Sequence, residues 1–424
     1  MKNIIRPVKG TRDFYPEKMA VRTWLYDRLR QVSEAFGYQE YEAPILESLE
    51  LYAAKSGEEL VRKQSYSFYD KGGDQIVLRP ELTPSLARMI AQRQRQLVYP
   101  LRWWSFGPFW RYESPQKGRS REFFQWNIDL IGVDSPEADA EMVAIAAFLL
   151  KSVGLLPSEA AVLVNDRQLV NRQLKMAGIP ETARQNALLW IDRRPKMTPD
   201  SWEAYGSELE FTRPQIEAVL AFLERADLWQ ESERLVRVFD VLEAMGVRGY
   251  VRYDPGIIRG LPYYTGIVFE AFDLRGSVRR AILGGGRYDN LMAAVGGDPM
   301  PAVGFAMGDV VITVILEELG RLPKNLTASP AEILVTVFDE STAPASFALA
   351  SELREAGLKV AVYPQIAKLG KQFKYADRIG VRLAAVLGPD EVAEGRVTIK
   401  NLVTREQVSV SRGEAGEFVR RTLA

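Results

Sequence analysis

The chain has 424 residues, with 55 Lys and Arg against 55 Asp and Glu, so its formal net charge is zero. Its apolar content of 47% and charged content of 26% are ordinary for a soluble globular protein, and its length predicts roughly two to three domains. The chain contains no cysteine and no histidine. This excludes disulfides, thiol nucleophiles, imidazole bases and metals bound by Cys or His. Any chemistry must therefore use carboxylates, Arg, Lys, Tyr, hydroxyls and backbone amides.

The N-terminal segment MKNIIRPVKGTRDF is too polar for a signal peptide, and no apolar run approaches the roughly eighteen residues that span a membrane. We therefore expect a cytoplasmic protein without a membrane partner. Zero net charge argues against a globally basic nucleic-acid binder but is compatible with local basic patches.

The first part of the chain predicts helices and strands in alternation. Apolar residues every three to four positions predict a helix over 19–36 that ends at Gly37. A strand-like segment follows and is interrupted by Pro44. The next predicted elements are a hairpin with its turn at 71–74, a helix over 85–97, two long strands at 101–112 and 122–132, and a helix over 137–153.

The later part of the chain changes character twice. Residues from about 155 to 245 have mostly helical patterns and predict an inserted helical module. Strand patterns return at 264–273 and 279–286, with GGGRYDN placed between strand and helix. The segment 321–330 has the composition of a linker, and a βαβαβ rhythm beyond it predicts a small, largely parallel α/β domain. The predicted domains are thus 1–325 and 331–424.

The segment FWRYESPQKGRSREFFQW, residues 109–126, places a basic stretch with Pro115 and Gly118 between two aromatic-rich strands. Guanidinium groups fixed at the end of a sheet suit a phosphate or carboxylate, so this segment is a candidate anion clamp. The alternative is a solvated hairpin tip whose charges keep a sheet edge soluble.

Three other segments carry candidate residues. In LRPELTPSLAR, Glu81 is a candidate for gripping an ammonium group, or else Thr83 caps a helix that begins at Pro84. In IIRGLPYYTG, Arg259 and two tyrosines either wall a polar pocket or pack as ordinary strand residues. GGGRYDN matches neither GxGxxG nor GxxxxGK[ST], so no Rossmann or P-loop site is predicted, but its glycines allow the close approach of a backbone or ligand.

A basic ridge is predicted near the C-terminus. Its members share one helix face and either contact phosphates or form a solvated surface; they are Lys368, Lys371, Lys374 and Arg378.

The 109–126 segment resembles the second signature motif of class II aminoacyl-tRNA synthetases, in the form found in the histidyl-tRNA synthetase family. The resemblance covers nearly the whole chain through KGTRDFYP, YEAPILE, LRPELT, RGLPYYTGIVFE and GGGRYDN, in that order. YEAPILE resembles the first class II motif, whose proline, here Pro44, lies at a dimer interface. The resemblance implies an α/β protein whose catalytic domain is an antiparallel sheet flanked by helices. It also implies a helical insertion and a C-terminal α/β anticodon-binding domain from about residue 331.

The resemblance also implies a reaction and its partners. Enzymes of this family join L-histidine to ATP with Mg²⁺, release pyrophosphate, and pass the histidyl group from histidyl-adenylate to tRNA(His); they act as homodimers. The attacking carboxylate is already ionised, so the reaction needs alignment and positive charge rather than a general base. Arginines can supply that charge in a chain without histidine or cysteine.

The family's functional residues transfer to matching positions of this chain. Arg111 and Arg259 would be catalytic. The histidine site would comprise Glu81, Leu82, Thr83, Arg111, Gln125, Asp129, Arg259, Tyr263 and Tyr264. The ATP site would comprise Arg111, Glu113, Arg119 and Arg121. The tRNA contacts would be Gln116, Lys117, Lys368, Lys371, Lys374 and Arg378, while no metal ligands are assigned.

Two positions depart from the family pattern. Pro262 replaces the aspartate of RGLDYY, and Val311 stands where the third class II motif has an arginine for the ATP γ-phosphate. We predict that Val311 is a packing residue and that Asp309, near a helix start, meets amides, a cation or an arginine. The γ-phosphate would then be held by Lys117, Arg119 and Arg121.

Two other functions are consistent with parts of the sequence. A non-catalytic paralogue, such as the regulatory subunit of ATP phosphoribosyltransferase, is favoured by the missing motif-three arginine. The complete basic loop and the C-terminal domain oppose it, because a subunit that never meets tRNA needs no anticodon module. A pure RNA-binding module would leave the small-molecule motifs unexplained.

Overall fold

The computed structural model describes residues 4–53, 64–116, 118–260, 263–278, 280–290, 292–323, 326 and 329–423. The chain divides into two compact units, the first formed by Met1–Asp13 and Arg22–Leu322 and the second by Phe14–Val21 and Pro323–Ala424. Within the described ranges, no helix is both long enough and apolar enough to cross a bilayer.

The first unit is built on two sheets. Its strands are β1 (Gln39–Glu40), β2 (Leu46–Ser48), β3 (Tyr66–Tyr69), β4 (Gln75–Leu78), β5 (Leu101–Trp110), β6 (Glu122–Ile131), β7 (Ala160–Asp166), β8 (Val251–Tyr253), β9 (Ile267–Asp273), β10 (Leu283–Tyr288) and β11 (Ala302–Gly308). The large sheet has the order β1-β5-β6-β11-β10-β9-β7-β8 and is antiparallel except at its two edges, where β1 pairs with β5 and β7 with β8 in parallel. The small sheet has the order β2-β4-β3.

Helices flank the large sheet, as the sequence predicts. They are α1 (Pro16–Ala35), whose first residues belong to the second unit, α2 (Leu49–Ala53), α3 (Thr83–Arg93), α4 (Pro136–Ser152), α5 (Arg167–Met176), α6 (Arg184–Arg193), α7 (Pro199–Glu208), α8 (Arg213–Leu223), α9 (Glu233–Ala244) and α10 (Asp309–Glu318). The most buried is α4, which is apolar on nearly every side between Ala138 and Leu150, as expected of a helix inside a core. Ser135 starts it by accepting a hydrogen bond from the Ala138 amide at 3.1 Å.

The structure differs from the sequence interpretation in two places. The region assigned to a helical insertion, about 155–245, begins with β7, a strand of the large sheet. The reason is that AAVLVND is buried along nearly its whole length and therefore lacks the alternation that marks a half-buried strand. The glycines of GGGRYDN also lie inside β10 rather than after it. A Cβ at Gly285 would overlap the Gly304 carbonyl of β11, so β11 can approach β10 this closely only at a glycine.

A buried ion-pair network ties β10 to α4 and α9. The Nε and Nη2 atoms of Arg287 each lie 2.8 Å from Asp139 Oδ1, and the Arg287 and Asp139 side chains are 2% and 0% exposed. Arg234 on α9 donates from Nε to the other Asp139 oxygen at 2.5 Å and from Nη2 to Asp134 at 2.7 Å. Because Arg287 and Asp139 are desolvated, each depends on its charged partners to remain buried.

The second unit is the predicted small α/β domain. Its elements are β12 (Ile333–Val335), α11 (Ala343–Glu355), β13 (Val360–Val362), α12 (Leu369–Arg378), β14 (Leu383–Val386), α13 (Pro389–Glu394), β15 (Arg396–Asn401), β16 (Gln407–Ser411) and α14 (Ala415–Leu423). The sheet order is β13-β12-β14-β15-β16, and β12 pairs in parallel with both β13 and β14. The predicted parallel βαβαβ arrangement is confirmed, and β15 and β16 extend it with antiparallel pairing.

We predict that Arg287→Ala lowers the free energy of unfolding of the first unit by about 3 kcal/mol, because it leaves Asp139 buried with one guanidinium instead of two. The measurement is urea unfolding followed by tryptophan fluorescence, since all eight tryptophans lie in the first unit. The control is Arg237→Ala, which breaks a pair with Glu137 whose side chains are 59% and 49% exposed and should lower the free energy of unfolding far less, because water screens this pair. Equal losses of unfolding free energy in the two variants would contradict the proposed contribution of the buried network to stability.

Candidate active site

Arg111 lies at the end of β5, where it connects the β5–β6 loop to the segment before α3. Its Nε donates to the Pro80 carbonyl at 2.9 Å, and its guanidinium carbon lies 5.3 Å from the centroid of the Phe123 ring. Its backbone amide donates to the Arg121 carbonyl at 2.9 Å, so the two stems of the loop are joined. Arg111 is therefore fixed at the end of the sheet, as an anion clamp requires.

Beyond Arg111, the two other arginines of the loop have different partners. Arg119 Nε lies 2.7 Å from Glu113 Oε2, and the tip is closed by a hydrogen bond from the Arg119 amide to the Gln116 carbonyl at 2.8 Å. Arg121 instead donates from Nε to the Glu113 carbonyl at 3.1 Å, and its guanidinium carbon lies 4.0 Å from the centroid of the Tyr112 ring. Lys117 lies outside the described residues.

The start of α3 lies on one side of the predicted polar pocket. The helix begins at Thr83 with Leu82 in the N-cap position, so the alternative in which Thr83 caps a helix beginning at Pro84 is wrong by one residue. The Leu82 side chain is 1% exposed and packs with Ala43 and Phe109, which leaves only its main chain to face a ligand. The Glu81 carbonyl accepts a hydrogen bond from the Tyr52 hydroxyl at 3.1 Å.

Three tyrosines cluster at the same predicted pocket. The Tyr263 and Tyr264 rings lie 4.7 Å apart between centroids, and Tyr263 lies 6.5 Å from Tyr288. Burial, the neighbouring Tyr264 and the Glu81 carboxylate raise the pKa of the Tyr263 hydroxyl well above its usual value. The predicted pocket residues Glu81, Tyr263 and Tyr264 are therefore brought together.

Asp129 is buried in the same neighbourhood. The Tyr288 hydroxyl donates a hydrogen bond to its Oδ1, and a Cβ at Gly304 on the adjacent strand would overlap that oxygen. Burial raises the pKa of Asp129 to about 7, while the hydrogen bond from Tyr288 opposes this shift. Tyr288 was not among the residues predicted for the site, although it lies in the GGGRYDN motif that marks the region.

Arg259 reaches the pocket from a strained backbone position, with a φ of 50°. Its Nη1 lies 2.8 Å from Glu270 Oε1, and its guanidinium occupies the space where Gly284 would otherwise carry a Cβ. Burial disfavours the charge, but Tyr264, Glu270 and Tyr263 outweigh it and raise the pKa of Arg259. Sequence reasoning missed Glu270; its place in YTGIVFE, next to a predicted arginine motif, was the available signal.

Gln125 contributes an unpaired acceptor. It lies on β6 between Gly107 of β5 and Gly308 of β11, and its Oε1 is buried without a hydrogen-bond partner among the described residues. Buried polar atoms are almost always paired in native proteins, so this oxygen indicates a missing donor. A ligand ammonium group would supply one.

The start of α10 confirms the interpretation of Asp309 and Val311. Asp309 accepts hydrogen bonds from Arg12 Nη2 at 2.9 Å and from the Phe124 amide at 3.0 Å, and so meets both an arginine and an amide. Val311 is 8% exposed and belongs to the core of the first unit. Position 311 of α10 therefore carries no positive charge.

The basic ridge of the second unit is exposed as predicted. Lys371, Lys374 and Arg378 lie on the solvent side of α12, and Lys368 precedes its first turn. The opposite side is fixed by Gln372, whose Nε2 donates to the Val337 and Ala367 carbonyls at 2.7 and 2.6 Å.

Comparisons with known proteins agree with this architecture. The family profile described as histidyl-tRNA synthetase matches residues 10–308, and the profile described as anticodon binding domain matches residues 332–422. A curated histidine–tRNA ligase from Opitutus terrae is 39% identical over 427 residues, covering 97% of each chain. The crystal structure of a histidyl-tRNA synthetase from Nostoc sp. PCC 7120 matches with a TM-score of 0.84 at 26% identity and covers 100% of both chains.

A further solved structure bears on the paralogue hypothesis. It is described as an ATP phosphoribosyltransferase regulatory subunit/histidyl-tRNA synthetase from Bacillus halodurans and matches with a TM-score of 0.72 at 23% identity, covering 88% of this chain and 97% of that one. At this identity it supports the fold alone. The fold and the matched profiles define a class II aminoacyl-tRNA synthetase. Within that class, the chain belongs to the histidyl-tRNA synthetase family.

We predict that the stability of Asp129→Asn relative to wild type rises with pH between about 4 and 7 and is constant above that. The native carboxylate keeps its proton up to a pKa of about 7, whereas the unfolded carboxylate loses it near 3.8, so wild type loses stability over this window. The full difference should be on the order of 4 kcal/mol. The measurement is urea unfolding at a series of pH values, and a pH-independent difference would show that Asp129 is not a buried, protonatable group.

Proposed function

We propose that this chain activates L-histidine with ATP to form histidyl-adenylate and then transfers the histidyl group to tRNA(His). The observation that carries this proposal is the cluster of Glu81, Tyr263 and Tyr264 beside two fixed arginines. Arg111 comes from the end of β5, while Arg259 comes from the segment before β9. Membership of the histidyl-tRNA synthetase family, which uses ATP, supports the same reaction.

The first step needs alignment and positive charge. The histidine carboxylate attacks the α-phosphorus, a new P–O bond forms, and the bond to the β-phosphate oxygen breaks to release pyrophosphate. Negative charge builds up on the α-phosphate oxygens, where Arg111 and Arg259 would stabilise it. Because its carboxylate partner and tyrosine neighbours raise the pKa of Arg259, this guanidinium keeps its charge despite burial.

The pocket offers complementary groups for histidine. Glu81, Thr83 and the unpaired Gln125 Oε1 would accept hydrogen bonds from the substrate ammonium. Asp129, held by Tyr288, would face the imidazole together with Tyr263 and Tyr264. A buried acidic group suits a substrate whose side chain carries N–H donors, and it would reject apolar amino acids of similar size.

Glu113, Arg119 and Arg121 would hold ATP, with Glu113 meeting the adenine base. Mg²⁺ would enter with ATP as part of the substrate. In the portion of the chain that the structure describes, no group of three or more acidic side chains is placed to hold a metal ion. This fits an ion held mainly by phosphates and water, as is usual for Mg²⁺ with nucleotides.

The second unit would bind the anticodon arm of tRNA(His). The exposed ridge of Lys368, Lys371, Lys374 and Arg378 suits phosphates. Tyr375 on the same helix is 41% exposed and offers a ring for base stacking. In the first unit, Gln116 and Lys117 would approach the acceptor end.

We further propose that the chain forms a homodimer through the segment at Pro44. Ile45 and Leu46, which follow this proline, are 42% and 48% exposed. Ile45 directly precedes β2 and Leu46 is its first residue, so two adjacent apolar side chains face solvent here and would be covered in an assembly. We propose a cytoplasmic location because tRNA charging serves translation there.

The regulatory-subunit hypothesis remains the second candidate function. One observation favours it, the apolar Val311 at the motif-three position. The full-length identity to a curated ligase and the matched anticodon-binding profile oppose it. Histidine-dependent exchange of pyrophosphate into ATP separates the two, because a regulatory subunit catalyses none.

We predict that Arg259→Ala reduces histidine-dependent pyrophosphate exchange by about 100-fold or more, because one preorganised charge contact to the transition state contributes about 3 kcal/mol. Arg252→Ala, an exposed arginine on β8 of the same sheet, is the control and should exchange at the wild-type rate. Circular dichroism checks that both variants fold. Exchange by Arg259→Ala within threefold of wild type would contradict the role of Arg259.

We predict that Lys371→Glu combined with Lys374→Glu weakens tRNA binding and leaves pyrophosphate exchange unchanged. Each lost phosphate contact should flatten the salt dependence of tRNA binding by about one unit of slope. The matched control is Arg420→Glu with Arg421→Glu, which reverses two exposed charges on α14 of the same unit. If both double variants bind tRNA alike, α12 is an ordinary solvated surface.

A further inference from the structure

Arg280 lies against the tip of the basic loop. It belongs to the connection between β9 and β10, and its Cδ is 3.2 Å from the point where a Cβ on Gly118 would stand. The Val311 Cγ2 atom is 3.6 Å from the same point. The Arg280 side chain, the loop tip and the first turn of α10 therefore meet at one place.

The connection that carries Arg280 is held by its own hydrogen bonds. Asp273, at the end of β9, accepts from the Ser277 amide at 3.1 Å and from the Ser277 hydroxyl at 2.6 Å. The Ile282 amide returns the chain to the sheet by donating to the Ala271 carbonyl at 2.7 Å. Arg280 is thus presented from a short segment anchored at both ends.

Positive side chains outnumber negative ones at the loop tip. Burial lowers the pKa of the Arg280 guanidinium, and the charge of the nearby Arg119 lowers it further. Glu113 is the carboxylate near both, and it already pairs with Arg119 Nε at 2.7 Å. Across the described ranges, no carboxylate oxygen lies within ion-pair distance of the Arg280 guanidinium. Two guanidiniums with a single carboxylate nearby form a site with excess positive charge, which favours an anion.

We propose that Arg280, together with Arg119, binds the β- and γ-phosphates of ATP and supplies the cation that α10 lacks at Val311. This inference rests on the proposed ligation of histidine. Arg121 is a weaker candidate than the sequence suggests, because its guanidinium is engaged by the Tyr112 ring and the Glu113 carbonyl.

The position of Arg280 favours the terminal phosphates over the reacting one. The α-phosphate must lie where the histidine carboxylate meets Arg111 and Arg259, beside the pocket of Glu81 and Tyr263. Arg280 instead contacts the loop tip at Gly118, at the far end of the same loop from Arg111. In the proposed complex, the β- and γ-phosphates would extend from the α-phosphate toward this tip.

The test compares Arg280→Ala with wild type for three ligands. In pyrophosphate exchange, the KM for ATP should rise about tenfold or more, as expected for a lost hydrogen-bonded charge contact. The KM for histidine should stay within twofold. Calorimetric affinity for a non-hydrolysable histidyl-adenylate analogue, which lacks the β- and γ-phosphates, should also stay within twofold.

The matched control is Arg275→Ala. Arg275 lies five positions earlier in the same connection and pairs with Asp273 at 2.8 Å, so its loss removes the same charge without touching the loop tip. It should leave all three constants at their wild-type values. If Arg280→Ala proves unstable, Arg280→Lys keeps the aliphatic stem against Gly118 and should raise the KM for ATP alone by a smaller factor.

The outcomes separate this inference from the proposed function. An unchanged KM for ATP in Arg280→Ala, or an equal loss of affinity for ATP and the adenylate analogue, overturns the assignment of Arg280 while the ligase activity stands. Absence of histidine-dependent exchange in the wild-type protein overturns the proposed function itself.

Discussion

Arginine–carboxylate pairs that link separate elements are the interaction on which this structure depends. Arg287 joins β10 to α4 through Asp139, Arg12 joins the N-terminal segment to the start of α10 through Asp309, and Arg79 meets Glu42 at 2.5 Å beside the first strand. A buried guanidinium is tolerated only where a carboxylate and backbone carbonyls satisfy it. Each pair therefore fixes the relative placement of two segments, because displacing either one leaves a charge unmatched.

The candidate active site also depends on arginines that neighbouring groups hold in place. Arg259 keeps Glu270 as a partner and presents its guanidinium over Gly284, while Arg111 is fixed by a backbone carbonyl rather than by an acid. A chain without histidine and cysteine can carry out this reaction, because adenylate formation needs aligned positive charge and no proton acceptor on the protein. The pocket and the arginines are thus positioned by the forces that hold the sheet together.

The sequence predicts much of this arrangement where periodicity or a long motif is present. The helix expected over 19–36 is Pro16–Ala35, and the strands flanking the basic loop are Leu101–Trp110 and Glu122–Ile131. The small parallel domain follows from its βαβαβ rhythm. The family resemblance is confirmed by the profile matches and by the full-length relatives.

What the sequence does not reveal depends on contacts between distant segments. The β7 strand is buried on both sides and has no alternation to mark it. Tyr288 and Glu270 acquire their roles only when β10 and β9 are brought beside Asp129 and Arg259. Arg280 is one of many surface-like arginines in the sequence, and only the fold places it next to Gly118 and Val311.

Charging of tRNA requires the pocket, the arginines and the anticodon-binding unit of the same chain, so it is the decisive measurement for the proposed function. Purified full-length protein should be incubated with ATP, Mg²⁺, radiolabelled L-histidine and a tRNA(His) transcript, with a second transcript of different identity as a control. We expect histidine esterified to tRNA(His) in amounts that approach one per transcript, and none on the control. Failure to charge tRNA(His) under conditions where a known histidine–tRNA ligase charges the same transcript would contradict the proposed function.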